Sequence, residues 1–224
     1  SMVNDFPEVI DWAHLYNMGS KNNVVITYEE GQGQPIKLKH RKFLYASEGF
    51  LPLFSAEMIS GDASTALKEP FTMVISETTA KKYFGDTDPM GKTILIDNEK
   101  QLEVTGVFED FPDNSSLHCN IIGSFSSTFA AKNPSWGNSS FETYLQLDQN
   151  VSPANTESQL QALLDKNVDK EGQWFTFSLQ PLEKVHLYSA DYSNSYSKRV
   201  GDINETNNLS LLAMLILLIA CVNY

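Results

Sequence analysis

The carboxylates best placed for acid–base chemistry lie at Glu109, Asp110 and Asp113, near the end of a predicted strand. Paired carboxylates can share general acid and general base roles when they face each other across a substrate. Adjacent residues of a strand, however, point to opposite faces of the sheet. The spacing therefore favours an acidic loop over a catalytic pair.

A nucleophile with a neighbouring base is the second chemical arrangement to consider. His118 stands next to Cys119 and close to Ser115 and Ser116. Activation of such a nucleophile also needs a third group that orients the base, and the sequence identifies none. The remaining histidines are isolated in sequence and are expected to have core or surface roles: His14, His40 and His186.

Signatures of metal and nucleotide binding are missing as well. No Cys/His spacing fits a zinc site, and residues 97–99 are too short for a calcium loop. Gly91-Lys92 lacks the upstream glycine of a phosphate-binding loop. We therefore expect a non-enzymatic protein with no catalytic, cofactor-binding or metal-binding residues and no cofactor.

Charge and composition narrow the class of protein further. The 224 residues carry a net charge of −12, which argues against nucleic acid as a partner and against flat docking on anionic lipid. An apolar content of 42 % is enough to build a core. The length before residue 209 suits one large domain or two small ones.

The end of the chain is an uncharged apolar run over residues 209–222. This run is too short to cross a bilayer, which takes about 20 residues, and it lacks the polar face of a surface helix. We expect residues 209–224 to be the start of a transmembrane helix that is cut short, with a short buried C-terminal helix as the alternative. The apolar positions of this segment are Leu209, Leu211, Leu212, Met214, Leu215, Ile216, Leu217, Leu218, Ile219 and Val222.

Strand and turn patterns predict β structure in the first half of the chain. Residues 23–29 and 36–46 form a predicted hairpin, followed later by strands over 72–76, 93–96 and 101–108. Between the first two of these strands, the pattern predicts a helix over residues 77–84.

The second half mixes strands and helices. Residues 141–147 are predicted to be a strand, and the helix that begins with Pro153 carries Leu160, Leu163 and Leu164 on one face. Residues 174–179 are predicted to be another strand, which 182–188 continue. The polar segment 189–208 is predicted to be a loop.

The three tryptophans could anchor a partner. Their β-rich surroundings predict that Trp12 and Trp174 belong to the core, whereas Trp136, in a Pro- and Gly-containing turn, is the best candidate for exposure.

Residues 73–108 form a motif block in which a strand feeds a capped helix, a tight turn follows, and a strand pair closes the unit. Ser76 fits the N-cap and Gly85 the C-terminal position that often needs positive φ. The turn follows from residues 88–91, and Gly106 allows a bulge or a close backbone approach. We single out Ser76, Phe84, Gly85, Asp88, Pro89, Gly91 and Gly106.

This block resembles the periplasmic core domain of MacB/FtsX-like ABC transporter permeases. Residues 6–9 (Phe-Pro-Glu-Val) are similar to the segment that follows the first membrane helix in these permeases. Residues 111–117 are similar to a family turn, with a Ser where a His is common, and residues 215–224 resemble the start of the second membrane helix.

The resemblance implies an α+β fold with two subdomains before a membrane helix. Residues 1–69 and 139–208 would form a discontinuous Porter-like α/β subdomain, and residues 70–138 an inserted β-rich Sabre-like subdomain. Such a domain would lie on the periplasmic side of the inner membrane.

The resemblance also implies a transport role, in which ATP hydrolysis by an ABC ATPase subunit or domain is coupled to substrate export or to regulation of a partner. A second permease copy would complete a dimer, and a periplasmic or outer-membrane protein, or lipophilic or peptide cargo, would be contacted outside. Trp136, Tyr192 and Tyr196 are the predicted contacts. The alternative is a membrane-tethered sensor domain that binds a ligand in a concave pocket.

Overall fold

The computed structural model describes residues 6–16, 24–29, 35–40, 43–112, 114–115, 117, 119–138, 140–191 and 201–223. These residues divide into two compact units, 1–178 and 179–224. All the described strands belong to the first unit, and the second unit is helical.

The first unit is built on one mixed β-sheet. Its described strands are β1 Val9–Tyr16, β2 Val24–Tyr28, β3 Ile36–His40, β4 Phe43–Ala46, β5 Met58–Ser60, β6 Thr72–Ser76, β7 Thr93–Ile96, β8 Lys100–Phe108, β9 Ile121–Ser124 and β10 Phe141–Leu147. The strand order is β10-β1-β4-β9-β6-β8-β7-β2-β3, with β5 paired to β8 beside this path. The pairs β4–β9 and β6–β8 are parallel, and the other pairs are antiparallel.

Helices connect and flank these strands. In the first unit they are α1 Phe50–Leu53, α2 Glu77–Phe84, α3 Phe129–Lys132 and α4 Pro153–Asn167, and in the second unit α5 Leu182–Tyr188 and α6 Ile203–Asn223. Strands joined through helices in a mixed sheet make an α+β fold, as the sequence predicts. The predicted hairpin is confirmed for β2 and β3, which pair from Val24 opposite His40 to Tyr28 opposite Ile36.

A buried cluster lies between helix α2 and one face of the sheet. Tyr83 and Phe84 of α2 pack with strand residues from β2, β4, β6, β7, β8 and β9, and the Phe84 ring centroid is 4.5 Å from that of Tyr28. Burial of these apolar side chains is the main favourable contribution to the folding of this part of the sheet.

The ends of helix α2 are held by specific polar groups. The Ser76 hydroxyl accepts a hydrogen bond from the Thr79 N–H, and the Asp110 carboxylate accepts one from the Thr78 N–H at 2.9 Å. Gly85 ends the helix with φ of 59°, a conformation that suits glycine. The bounds of this helix agree with the sequence prediction.

Strands β6 and β8 meet at an irregularity that requires glycine. The register between them shifts at Met73 and Val74, where Gly106 lies opposite Val74. A Cβ on Gly106 would lie 2.6 Å from Cε of Met58 and 3.0 Å from Cγ1 of Val74. Gly106 therefore permits a close approach of neighbouring chains, as expected for glycine within a strand.

Two predictions for the region after helix α4 are wrong. Residues 174–179 form neither a strand nor a helix, and residues 182–188 form helix α5 instead of continuing a strand. Pro181, Glu183 in the first turn and His186 in the last turn are typical of a helix, and they outweigh the β-prone residues nearby.

The apolar C-terminal helix α6 begins earlier than predicted, at Ile203 instead of residue 209. The Asp202 carboxylate accepts a hydrogen bond from the Asn204 N–H at 2.7 Å, which fixes the first turn. With 21 residues and a mean hydropathy of 1.8 over an 18-residue stretch, α6 is long and apolar enough to cross a membrane.

The predicted boundaries of the two subdomains, at residues 69/70 and 138/139, stay a prediction. Strands from both predicted parts belong to the same sheet, with β6–β9 lying between β4 and β2 in the strand order.

Candidate functional site: an aromatic groove

An open groove lies in the first unit. It has a volume of about 790 Å³ and is lined by 14 described residues, of which seven are aromatic. The aromatic residues are Trp12, Phe125, Trp136, Phe141, Trp174, Phe175 and Phe177.

The floor of the groove is formed by the antiparallel strands β1 and β10. His14 lies opposite Thr143, and Tyr16 opposite Phe141, so these side chains share one face of the sheet. Ala13 and Leu15, which flank His14 on β1, point to the other face and are buried. The register thus collects aromatic side chains on the face that lines the groove.

Helix α3 and the loop after it form one wall. The Thr128 hydroxyl accepts a hydrogen bond from the Ala131 N–H at 3.2 Å and so caps this short helix. In the loop, Gly137 donates to the Ser135 hydroxyl and Ser140 donates to the Asn138 side-chain oxygen. These bonds hold the turn that carries Trp136, which is 40 % exposed.

The segment 174–177, which lies outside the helices and strands, forms the remaining wall. Consecutive rings stand edge to face, with centroids 5.1 Å apart for Trp174 and Phe175 and 5.3 Å apart for Phe175 and Phe177. Trp174 is 63 % exposed, so the prediction that it belongs to the core is wrong. Trp12 is only half-buried and lines the groove, so the core prediction is wrong for this residue too. Both predictions relied on β-rich sequence, which does not reveal the face on which a residue lies.

His14 is the central polar residue of the groove. Its Nδ1 atom lies 2.8 Å from the Thr143 hydroxyl oxygen. Its ring centroid is 4.6 Å from that of Trp12 and 4.8 Å from that of Phe141. Burial among these rings lowers the pKa of His14 from 6.5 to about 4, because the charged form is poorly solvated there.

The charge of the groove follows from this pKa and from the lining. None of its 14 described lining residues is Asp, Glu, Lys or Arg. His14 is neutral near pH 7, so the lining carries no formal charge. A histidine with a pKa of about 4 is also a weak base, so the His14–Thr143 pair is poorly matched to general-base catalysis at neutral pH.

Sequence reasoning found Trp136 but missed the other groove residues. The usable signal was alternation: Trp12, His14 and Tyr16 recur at every second position of a strand. His14 was expected to have a core or surface role, and the pairing with β10, 129 positions away, gives it its setting.

The motif residues of the 73–108 block lie outside the groove lining. In the turn after helix α2, the Asp88 carboxylate accepts from the Met90 N–H at 3.0 Å. The Lys92 N–H donates to the Pro89 carbonyl at 3.1 Å, and Gly91 donates to the Val104 carbonyl with φ of 71°. These contacts connect helix α2 to strand β8.

The other predicted sites are of three kinds. Tyr192 and Tyr196, like Asp113 and His118, lie outside the described residues. Asp110 contacts the first turn of helix α2, which gives this acidic residue a structural role. Within the described ranges, no group of three or more His, Cys, Asp or Glu side chains could hold a metal ion.

Comparison with known proteins gives the family. A family model described as the MacB-like periplasmic core domain matches residues 5–163. No curated protein matches the chain.

One of the similar solved structures shows the same fold. A domain of a permease protein from Porphyromonas gingivalis has 24 % identity and a TM-score of 0.62, covering 80 % of this chain and 79 % of that one. The periplasmic region of MacB from Actinobacillus actinomycetemcomitans has 12 % identity, coverage of 73 % and 86 %, and a TM-score of 0.45. The extracellular domain of the noncanonic ABC-type transporter YknZ from Gram-positive bacteria has 18 % identity, coverage of 74 % and 80 %, and a TM-score of 0.49.

Such domains are generally non-enzymatic and belong to membrane-anchored proteins. Because the family model matches well over half of the chain, the protein belongs to the MacB-like periplasmic core domain family and is an extracytoplasmic domain of an ABC transporter permease.

Proposed function

We propose that this domain transmits the conformational work of ATP hydrolysis to a substrate or partner outside the membrane. The family match over residues 5–163 is the observation that carries this proposal. The energy comes from an ABC ATPase subunit or domain on the cytoplasmic side. The domain itself, as part of a permease dimer, contacts what is exported or regulated.

The apolar helix α6 supports the membrane part of the proposal. Its 21 residues span about 30 Å at 1.5 Å per residue, close to the thickness of the hydrocarbon core. In the proposed arrangement α6 lies in the inner membrane and the sheet domain lies on the periplasmic side. Movement of α6 during the ATPase cycle is then passed to the domain.

The contact surfaces are proposed from exposure. Trp136 is exposed on the loop after helix α3, within the β-rich segment 70–138 that we propose as the inserted subdomain. The segment before helix α6, with Tyr192 and Tyr196, is the second contact region, and we propose it from its polar sequence.

The test measures motion of the domain, so it needs no known substrate. Spin labels at Ser135→Cys, in full-length permease with Cys119→Ala and Cys221→Ala, report the distance between the two copies of a dimer in lipid. We expect this distance to change when ATP or a vanadate-trapped nucleotide is bound by the partner ATPase. Deleting residues 70–138 is unsuitable, because it would remove strands β6–β9 from the middle of the sheet.

The matched control is the same labelled permease with an ATPase partner whose catalytic glutamate is replaced by glutamine. We expect ATP binding to change the distance between the two labels once, because the partner ATPase can no longer hydrolyse ATP and return to its starting state. If hydrolysis is normal and the distance never changes, the domain does not transmit motion. If no ATPase associates with the full-length protein, the coupling itself is wrong.

A further inference from the structure

We infer that the aromatic groove is a binding site for a small, uncharged and mainly apolar molecule. This inference stands apart from the transmission role, since it concerns occupancy of the groove and not movement of the domain.

The size and lining of the groove suit a ligand of this kind. Small-molecule sites in proteins commonly measure 300–1,000 Å³ and are lined by apolar and aromatic side chains with a few polar groups. The groove has about 790 Å³, seven aromatic side chains, and small residues at Ala130 and Ala131 that leave room between its walls. An apolar ligand gains free energy by covering exposed rings such as Trp174.

The electrostatics of the lining select against negative charge on the ligand. A carboxylate group that enters the groove loses water and meets no opposite charge among the described lining residues. His14 could supply a positive charge only below about pH 4, because its burial disfavours the imidazolium. The net charge of −12 on the chain disfavours anions further.

A few polar groups can orient the ligand. The Nδ1 atom of His14 is hydrogen-bonded to Thr143, whereas its Nε2 atom has no partner among the described residues. Nε2 can therefore form a hydrogen bond with a hydroxyl or carbonyl group of the ligand. The Asn138 oxygen already accepts from Ser140, while its side-chain N–H₂ group is a donor near the groove.

The small number of polar side chains in the lining favours a small molecule over a peptide as the ligand. An extended peptide brings one donor and one acceptor on every residue, and each must be satisfied where water is excluded. Besides its tryptophan indoles, the lining offers four polar side chains, from His14, Ser135, Asn138 and Thr143, and all four already take part in hydrogen bonds within the first unit. A compact molecule with one or two polar atoms matches this number of hydrogen-bonding groups.

Photolabelling of the full chain in lipid nanodiscs tests the proposal with a matched pair of probes. Benzophenone is uncharged and apolar, and 4-benzoylbenzoate adds one carboxylate to the same rings. Peptide mapping by mass spectrometry locates the labelled residues, so a probe dissolved in lipid does not obscure the result. We expect benzophenone to label residues of β1, β10, the α3 loop and 174–177, and 4-benzoylbenzoate to label them about tenfold less.

The specificity control is a variant in which a larger side chain fills the groove. Ala131→Trp adds an indole to the wall without removing a buried side chain, and it should abolish the labelling. Ala154→Trp places the same indole on the exposed face of helix α4 and should leave labelling unchanged. Equal labelling by both probes, or labelling that Ala131→Trp leaves intact, would overturn the proposal. Failure of both probes to label the groove residues would also overturn it.

Discussion

The His14 imidazole and the Thr143 hydroxyl form a 2.8 Å hydrogen bond between strands β1 and β10, across 129 positions of the chain. Thr143 is exposed, whereas His14 is half-buried and in contact with the rings of Trp12, Phe141 and Phe125. The pair joins the end strand of the sheet path to its neighbour at the floor of the groove. The same packing keeps the imidazole neutral.

The first prediction follows from the lowered pKa of His14, about 4 in the folded protein against 6.5 for the free side chain. Below pH 6.5 the unfolded chain binds a proton at His14 that the folded chain does not bind until about pH 4. Stability from this residue is therefore complete above pH 6.5 and falls as the pH drops from 6.5 to 4, by on the order of 3 kcal/mol.

Urea unfolding of wild type and His14→Gln at several pH values between 4 and 7.5 checks this. The glutamine variant keeps a polar side chain but does not titrate, so carboxylates common to both proteins cancel in the difference. We expect wild type to lose stability relative to His14→Gln as the pH falls. A difference that does not vary with pH would mean that His14 is not held in its neutral form.

The sequence predicted the helices and strands whose signals are local. It did not predict the features that depend on pairing between distant strands. Ser76, Gly85 and Pro153 mark helix ends through their own backbone and capping chemistry, and those ends agree with the structure. Trp12 and Trp174 have no such local signal, because their exposure depends on which face of the sheet they meet. The groove needed the register of β1 with β10, which no nearby residue encodes.

The second prediction concerns Gly106. In Gly106→Ala the new methyl group would lie 2.6 Å from Cε of Met58, 3.0 Å from Cγ1 of Val74 and 3.2 Å from the Ser60 carbonyl oxygen. The Met58 end can move, but the strand backbone and the buried Val74 cannot easily do so. We expect a loss of about 1–3 kcal/mol in unfolding free energy, which urea titration measures.

Gly137→Ala is the matched control for this substitution. Its nearest non-neighbouring atom is the Ser135 hydroxyl at 3.8 Å, and no positive φ requires glycine there. The expected change is within about 0.5 kcal/mol. If Gly106→Ala is equally harmless, strand β8 does not pass as close to Met58 and Val74 as the structure has it.

The third prediction concerns the N-cap of helix α2. Ser76→Ala removes the acceptor for the Thr79 N–H at a position that is fully buried, so that donor loses its side-chain partner. The expected cost is about 1 kcal/mol of unfolding free energy. Ser158→Ala, in the middle of helix α4, serves as the control, because its exposed hydroxyl bonds only to the Ala154 carbonyl. Equal effects of the two changes would contradict a capping role for Ser76.

The fourth prediction concerns helix α6 as a membrane span. Leu215→Lys places a charge near the middle of residues 203–223, where a lysine costs about 2.5–3.5 kcal/mol of insertion free energy. Leu215→Ala is the control for loss of the leucine side chain, because it adds no charge. Asn204→Lys is the control for the charge, because it adds a lysine at the first turn, where the side chain can reach the interface. A glycosylation-site insertion assay reports the inserted fraction of each segment. We expect a marked loss only for Leu215→Lys. If the wild-type segment does not insert, α6 is not a membrane span. If Leu215→Lys inserts as well as Asn204→Lys, Leu215 does not lie near the centre of the span.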